Sequence, residues 1–136
     1  MHPKPSDEQE YIGVDMGSAR VGLARGSDLA RLAEPVRVVP LTDALVTIKN
    51  LASDNNTDAI VVGLPRNLNG EDTQQTQYVR AWVKQIMPHL SLPFYWQDEA
   101  LTTQTASEFR SGDDARAAAV ILQDFLDTPK EERVRC

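Results

Sequence analysis

Acidic residues lie at several positions where strands or helices are expected to begin or end. Asp15 closes the apolar run Tyr11–Asp15, Asp98 and Glu99 directly follow a second apolar run, and Asp114 opens a helical pattern. Carboxylate oxygens are the ligands that hard cations such as Mg²⁺ take. Cations held in pairs by carboxylates activate a water molecule and stabilise the leaving oxygen when a phosphodiester bond is cleaved. These residue types therefore favour metal-assisted hydrolysis.

Each of these acids also has a plainer interpretation. Asp15 could form a turn with the backbone that follows it. Asp98 or Thr102 could cap a helix, whose positive N-terminal end attracts acidic side chains. The same attraction could account for Asp114, although Asp113 is the better capping residue. The hydrolytic interpretation therefore depends on the acids meeting in space.

Asp114 lies in line with the apolar face of its predicted helix. The residues at i+3, i+4, i+7 and i+11 from it are Ala117, Ala118, Ile121 and Phe125. A helix places such positions on one side, so the carboxylate should point toward the core. An unpaired charge is costly there, and a bound metal ion would offset that cost.

The periodicity of apolar residues predicts the elements that must position these acids. Strands are expected at Tyr11–Asp15, Val21–Arg25, Glu34–Val39, Ala59–Gly63 and Phe94–Gln97, and helices at Asp43–Asn55, Thr73–Met87, Thr102–Arg110 and Asp114–Leu126. Three strands that can pair as a meander, followed by alternating helices and strands, indicate an α/β sheet with helices on both faces. The edge of such a sheet usually presents ligands.

Length and composition bound the remaining possibilities. The 136 residues suffice for one domain, which we place at 11–127, between a flexible polar tail at 1–10 and a charged tail at 128–136. The chain has no run of about 18 apolar residues and no apolar signal-peptide core, so we expect a cytoplasmic protein with no membrane partner. The single cysteine, Cys136, provides neither a disulfide framework nor a metal cluster.

The excess of acidic over basic residues limits the affinity of the chain for nucleic acid. The net charge is −6, whereas tight non-specific binding depends on lysine and arginine displacing counterions. A carboxylate metal site and acidic tails both contribute to this balance, so a nuclease is not excluded. We therefore expect a lone chain to bind DNA weakly.

Four segments, in order along the chain, resemble motifs of the YqgF/RuvX family. Asp15–Ala24 resembles the opening Asp-x-Gly-x-x-Arg motif, and Val61–Gly70 the Val-Gly-Leu-Pro loop. Asp98–Thr103 is similar to the Asp-Glu-Arg-Leu segment, and Asp114–Gln123 to the closing helix. The first motif also occurs in sugar kinases and actin-like ATPases, which need two such domains and a longer chain. The set of four spans 11–127 and is specific.

The resemblance implies an RNase H-like fold, a five-stranded mixed sheet in the order 3-2-1-4-5 with strand 2 antiparallel. It implies a nuclease whose Mg²⁺ or Mn²⁺ is held by the catalytic residues Asp15, Glu99 and Asp114, with Asp98 in reserve. The family is linked to maturation of the 16S ribosomal RNA 5′ end, and was earlier proposed to resolve Holliday junctions. The expected substrate is therefore precursor 16S rRNA or, as the alternative, branched DNA.

Arg20 and the polar loop Leu64–Asp72 are expected to line the nucleic-acid groove. Arg20 follows the first acid across a tight turn, and the loop leaves the strand that should neighbour the first. Asn67 can bond a phosphate or sugar, Gly70 permits close backbone approach, and Arg66 adds a positive charge. The alternative is that these are ordinary solvated loop residues.

Two departures from the family pattern bear on substrate affinity. Ala100 stands where the family has an arginine, which removes a phosphate or carboxylate partner that Arg66 would partly replace. The segment between Thr103 and Asp114 is also short for the family. These departures leave open a catalytically weak regulator that binds nucleic acid, although all three carboxylates are present. We expect a monomer or a weak homodimer.

Overall fold

The computed structural model describes residues 8–100 and 115–136. The strands are β1 (Glu10–Met16), β2 (Arg20–Ser27), β3 (Ala33–Pro40), β4 (Ala59–Arg66), β5 (Phe94–Ala100) and β6 (Val134–Arg135), and the helices are α1 (Ala44–Asp54), α2 (Gln74–Ile86) and α3 (Ala115–Asp127). Most of the predicted tail 1–10, the predicted helix Thr102–Arg110 and Asp114 lie outside the described residues. The five predicted strands are present, and β4 and β5 each run three residues further than expected.

The described strands form one mixed sheet in the order β3-β2-β1-β4-β5-β6. β1 pairs in parallel with β4, and β4 with β5, whereas β2 runs antiparallel to both β1 and β3. The predicted order of five strands is therefore confirmed, and a short sixth strand, β6, pairs antiparallel with β5. Because β1, β4 and β5 are parallel, their carboxyl ends share one edge of the sheet.

Side chains alternate between the two faces of the sheet and build a hydrophobic core on each. On one face Val14 and Ile60 pack with residues of α1 and α2. On the other face Tyr11 and Val61 pack with residues of α3, among them Phe125. The prediction of helices on both faces is confirmed. In β1, this alternation puts Asp15 on the face that α3 covers.

Helix α3 lies close to the sheet because two strands present glycine beneath it. A side chain at Gly13 would bring a Cβ within 2.8 Å of Leu122 Cβ, and one at Gly63 would collide with Ile121. The phenol ring of Tyr11 packs against Phe125, with ring centroids 5.1 Å apart. The helix therefore runs opposite to β1, and its first turn lies toward the carboxyl ends of the parallel strands.

Residues 128–136, expected to form a charged tail, pack against the domain instead. Arg133 donates hydrogen bonds to Asp28 at 3.0 Å and to the Tyr11 hydroxyl at 3.2 Å, and its guanidinium lies 4.3 Å from the Phe125 ring. The Tyr11 hydroxyl in turn donates to Asp28 at 2.7 Å. The sequence pattern could not reveal this packing, because the carboxylate that pairs with Arg133 lies 105 residues away in the chain.

We expect Arg133→Ala to lower the free energy of unfolding by about 3 kcal/mol, because it leaves the Asp28 carboxylate buried without its main partner. Lys130, 3.9 Å from that carboxylate, keeps the loss from being larger. Urea unfolding measures the effect. Lys49→Ala, an exposed change on α1, is the control and should change stability by less than about 0.5 kcal/mol. Equal stability of the two variants would contradict the role of Arg133.

Candidate active site

Asp15 and Glu99 lie on the same face of the sheet, at the carboxyl ends of two strands that flank β4. In the parallel pairing of β1 with β4, Val14 is opposite Val62, so the next residue, Asp15, is level with Gly63. In the pairing of β4 with β5, Glu99 is opposite Pro65, which lies two residues beyond Gly63. Strand spacing therefore places the two Cα atoms roughly 12 Å apart. Alternation puts both side chains on the face that α3 covers, and the Asp15 charge contributes to the raised pKa of Glu99, so the two carboxyl groups lie near each other.

Asp15 is flanked by residues that have no side chain. Across β2 its partner is Gly22, and Gly63 of β4 is level with it on the other side. The residue is 8% exposed and lies within β1, paired with β2, rather than in the turn that follows. The carboxylate therefore has room beside it on the α3 face, which an Asx-turn would not require.

Glu99 is held in surroundings that disfavour its charge. Burial raises the pKa of the Glu99 carboxyl to about 8; Asp124, with which it shares a hydrogen bond, adds to the rise, and Asp15 and Asp98 add further. Its Oε1 atom is buried and accepts no hydrogen bond within the described part of the chain. Among the described residues, one buried oxygen of the site thus lacks a hydrogen-bonding partner.

Asp98 turns away from this space. The sequence places Asp98 and Glu99 after the fifth strand, but β5 includes both of them, so alternation sends their side chains to opposite faces. The Asp98 carboxylate lies 3.2 Å from the Arg66 guanidinium. To serve as the reserve metal ligand, Asp98 would have to break its ion pair with Arg66.

Arg66 is engaged by two carboxylates rather than free in a groove. Besides Asp98, its guanidinium contacts Asp72 at 3.1 Å, and Arg80 reaches the same Asp72 at 2.9 Å. In the sheet, Arg66 is directly opposite Ala100. A guanidinium therefore lies beside the position where the family pattern has an arginine, although it comes from the neighbouring strand.

The loop after β4 is shaped by Asn67. Its Oδ1 accepts hydrogen bonds from the backbone N–H groups of Asn69 at 3.0 Å and Glu71 at 2.9 Å, and its amide donates to the Glu71 side chain. Gly70 has a φ of 75° and nothing within 4 Å of a Cβ position, so the turn itself requires glycine. Both residues thus have a structural task within the loop.

Arg20 begins β2 and is exposed. Gly22 is opposite Asp15, and alternation puts Arg20 on the same face two residues nearer the turn. The turn is closed by the Gly17 N–H, which donates to the Arg20 carbonyl at 2.8 Å. Among the described residues Arg20 forms no ion pair.

Two further residues contribute to the site without a signal in the sequence. Asp124 reaches Glu99 only because α3 packs across the sheet, which a helical period does not reveal. The buried Thr76 donates a hydrogen bond from Oγ1 to the carbonyl of Pro65, the residue level with Glu99. This bond ties the start of α2 to the end of β4.

The donor set fits a hard divalent cation. Two carboxylates face one space, one buried Glu99 oxygen lacks a hydrogen bond, and oxygen is the ligand that Mg²⁺ and Mn²⁺ take. Within residues 8–100 and 115–136 no three such side chains are grouped closely enough to bind a metal by themselves. The third predicted ligand, Asp114, lies outside the described residues and directly precedes Ala115, where α3 begins.

A mixed sheet in this order, with carboxylates at the carboxyl ends of β1 and β5, defines the class of RNase H-like nucleases. The chain belongs to the RuvX family, whose sequence model, described as "RuvX: Holliday junction resolvase", matches residues 9–128. This confirms the resemblance seen in the four motifs. The chain is therefore a nuclease, a hydrolase that acts on the phosphodiester bonds of nucleic acid.

Relatives and solved structures agree with this assignment. A protein of Roseiflexus sp. named "Putative pre-16S rRNA nuclease" is 34% identical over 92% of this chain and 99% of its own. One of the same name from Anaeromyxobacter sp. is 34% identical over 86% and 96%. Thermus thermophilus RuvC, solved with a Holliday junction substrate, gives a TM-score of 0.62 at 12% identity, covering 94% of this chain and 99% of RuvC. That likeness establishes the fold.

In the described part of the chain, no helix combines the length and the apolar character that a membrane span requires.

We expect the metal-free protein to lose stability as the pH rises from 4.5 to about 8. In this window the unfolded chain releases the Glu99 proton, while the folded protein retains it. The contribution of protonated Glu99 to the free energy of unfolding is therefore fully present below the window and is lost as the pH approaches the pKa in the folded protein. Glu99→Gln removes the charge and should stabilise the protein on the order of 2–4 kcal/mol above that window. Urea unfolding in EDTA at the two ends of the window measures it.

The matched control is Glu34→Gln, an exposed position on β3, which should leave the pH dependence unchanged. If wild type and Glu99→Gln lost stability equally with rising pH, the Glu99 carboxyl would not be the destabilising group.

Proposed function

We propose that this nuclease processes precursor 16S rRNA in the cytoplasm, with Mg²⁺ or Mn²⁺ held by Asp15, Glu99 and Asp114. The observation that carries the proposal is the largely buried Glu99 carboxyl, which lies near Asp15 and whose Oε1 accepts no hydrogen bond among the described residues. A structural carboxylate would not be kept in surroundings this unfavourable without a partner. A bound cation supplies that partner.

The roles of the chain's own residues follow from their places on the sheet. Asp15 and Glu99 hold the reacting centre from either side of β4, and Asp114 completes the set from the start of α3. A divalent cation bound there lowers the pKa of water and neutralises charge on the phosphate. Arg20 contacts a phosphate on the same face.

The loop residues contribute to substrate contact in a different way. Asn67 and Gly70 hold the loop in shape, so the loop's backbone, more than these side chains, meets the substrate. Arg66 neutralises Asp98 and lowers the negative charge that an approaching phosphate meets. The protein acts as a monomer or a weak homodimer.

RNA is the substrate we propose because the relatives with the highest identity quoted above carry that name. Branched DNA is the second candidate, favoured by the description of the family. A regulator that binds nucleic acid without cleaving it is the third, favoured by the acidic balance of the chain. Substrates of both kinds, each with and without Mn²⁺, distinguish these candidates.

We expect Asp15→Asn to abolish cleavage, by at least about 100-fold, while the fold is kept, because the amide preserves shape and loses the charge that binds a cation. The assay uses precursor 16S RNA and a four-way DNA junction, each with Mn²⁺ or EDTA. Asp54→Asn, an exposed change at the end of α1, is the matched control and should cleave normally. A fully active Asp15→Asn variant would make Asp15 a structural residue only.

We expect Asp114→Asn and Glu99→Gln to weaken Mn²⁺ binding at least about tenfold, since each removes a carboxylate ligand. Isothermal titration calorimetry measures the affinity without reference to activity. Asp113→Asn is the neighbouring control, since this residue is the expected helix cap and no ligand, and it should bind Mn²⁺ as wild type does. If only Asp113→Asn lost Mn²⁺ binding, Asp113 would be the metal ligand and Asp114 the helix cap.

A further inference from the structure

A cleft opens at the edge of the sheet where β6 ends. Its volume is about 500 Å³, and Trp96, Gln97, Arg80 and Arg135 contribute to its walls. Asp98 also lines it, and Glu99 of the candidate active site is the next residue of β5, with its side chain on the opposite face of the sheet. Leu64 and Arg66 line it too, whereas the role proposed above for Arg20 does not involve this cleft.

Beyond β6, the outer edge of β5 has no partner strand among the described residues. β6 is opposite Tyr95 and Trp96 only, and the Cys136 N–H donates to the carbonyl of Phe94 at 2.9 Å. Outward-facing backbone groups recur at every second residue of a strand, so those of Asp98 come next beyond β6. The cleft thus combines extended backbone with polar groups that face outward.

Two arginine–aromatic pairs flank this edge, one on each face of the sheet. The Arg80 guanidinium lies 5.5 Å from the centroid of Trp96, and that of Arg135 lies 5.4 Å from Tyr95. Unpaired bases stack on aromatic rings and on guanidinium planes, and this stacking tolerates any base. A double helix cannot use such surfaces, because its bases are already stacked.

The charge in the cleft also suits an anionic occupant. The whole chain carries −6, whereas in the cleft Arg66 pairs with Asp72 and Asp98, and Arg80 pairs with the same Asp72. In the described part of the chain Arg135 forms no ion pair. Because Asp98 and Glu132 also lie here, the cleft is close to neutral, and a polyanion meets less repulsion here than over the rest of the molecule.

We propose that this cleft binds a single-stranded segment of the nucleic-acid substrate, next to the bond that is cleaved. One base stacks against the Arg80–Trp96 pair, and Arg135 contacts the phosphate backbone. The strand then follows the edge of β5 toward Glu99. This inference rests on the proposed function, since it assigns the substrate of the same site a single-stranded flank.

The test measures binding in EDTA, so that it does not depend on cleavage. The chain has two tryptophans, and Trp82→Phe leaves Trp96 as the only reporter. We expect a single-stranded oligouridylate to quench the Trp96 fluorescence. Arg135→Ala should weaken the affinity roughly five- to tenfold and reduce the salt slope by about 0.7, the value for one phosphate contact on a single strand.

Arg37→Ala, which removes the same charge from an exposed position on the opposite edge strand β3, is the control and should bind as wild type does. Anisotropy of a fluorescein-labelled oligouridylate, with Trp82 retained, gives the same comparison should the tryptophan variant fail to fold. Equal weakening by Arg37→Ala and Arg135→Ala would overturn the proposal. Tighter binding of a duplex of equal length, or of an acidic peptide, would overturn it as well.

The result is distinguishable from failure of the nuclease proposal. Suppose that the protein cleaves neither RNA nor DNA with Mn²⁺ but binds the oligouridylate without metal in a way that depends on Arg135. That result would support the proposal for the cleft and contradict the proposed nuclease function. Cleavage by a protein whose metal-free binding does not depend on Arg135 would overturn the cleft alone.

Discussion

The crowding of carboxyl groups around the largely buried Glu99 is the constraint on which the candidate site depends. Glu99 lies largely buried near Asp15 and Asp124, with one oxygen that accepts no hydrogen bond among the described residues. Such a group lowers the stability of the metal-free fold. Packing elsewhere holds the strands in place against this cost, and the cation proposed above would offset the charge.

The packing that resists this repulsion is placed around the site. Glycines at 13 and 63 let α3 approach β1 and β4 closely, which closes one side of the space that the carboxylates face. The Arg133–Asp28 ion pair holds the C-terminal segment, and its short strand β6 supports β5 just before the acidic residues. Arg66 and Arg80 are paired to carboxylates, which partly neutralises this end of the sheet.

Much of this architecture could be predicted from local patterns. The apolar runs of β1 and β4, and the helical period of α3, are properties of neighbouring residues, and they sufficed for an α/β sheet with helices on both faces. The order of the five strands came from the resemblance to the family. The motifs around Asp15 and Glu99 sufficed for the family. Element ends were less certain, because β5 continues through Asp98 and Glu99, polar residues that resemble the start of a loop.

The tertiary structure alone decided which partner each polar side chain has. Whether Asp98 or Glu99 faces α3 depends on the strand continuing and alternating, and the ion pair of Arg66 depends on the register between β4 and β5. Arg133 is buried only because Asp28, at the far end of β2, meets it in space. Spacing and residue type are local properties, so the sequence by itself determined the fold, the family and the acids. Partner choice depends on segments brought together from distant parts of the chain, which only the packed structure specifies.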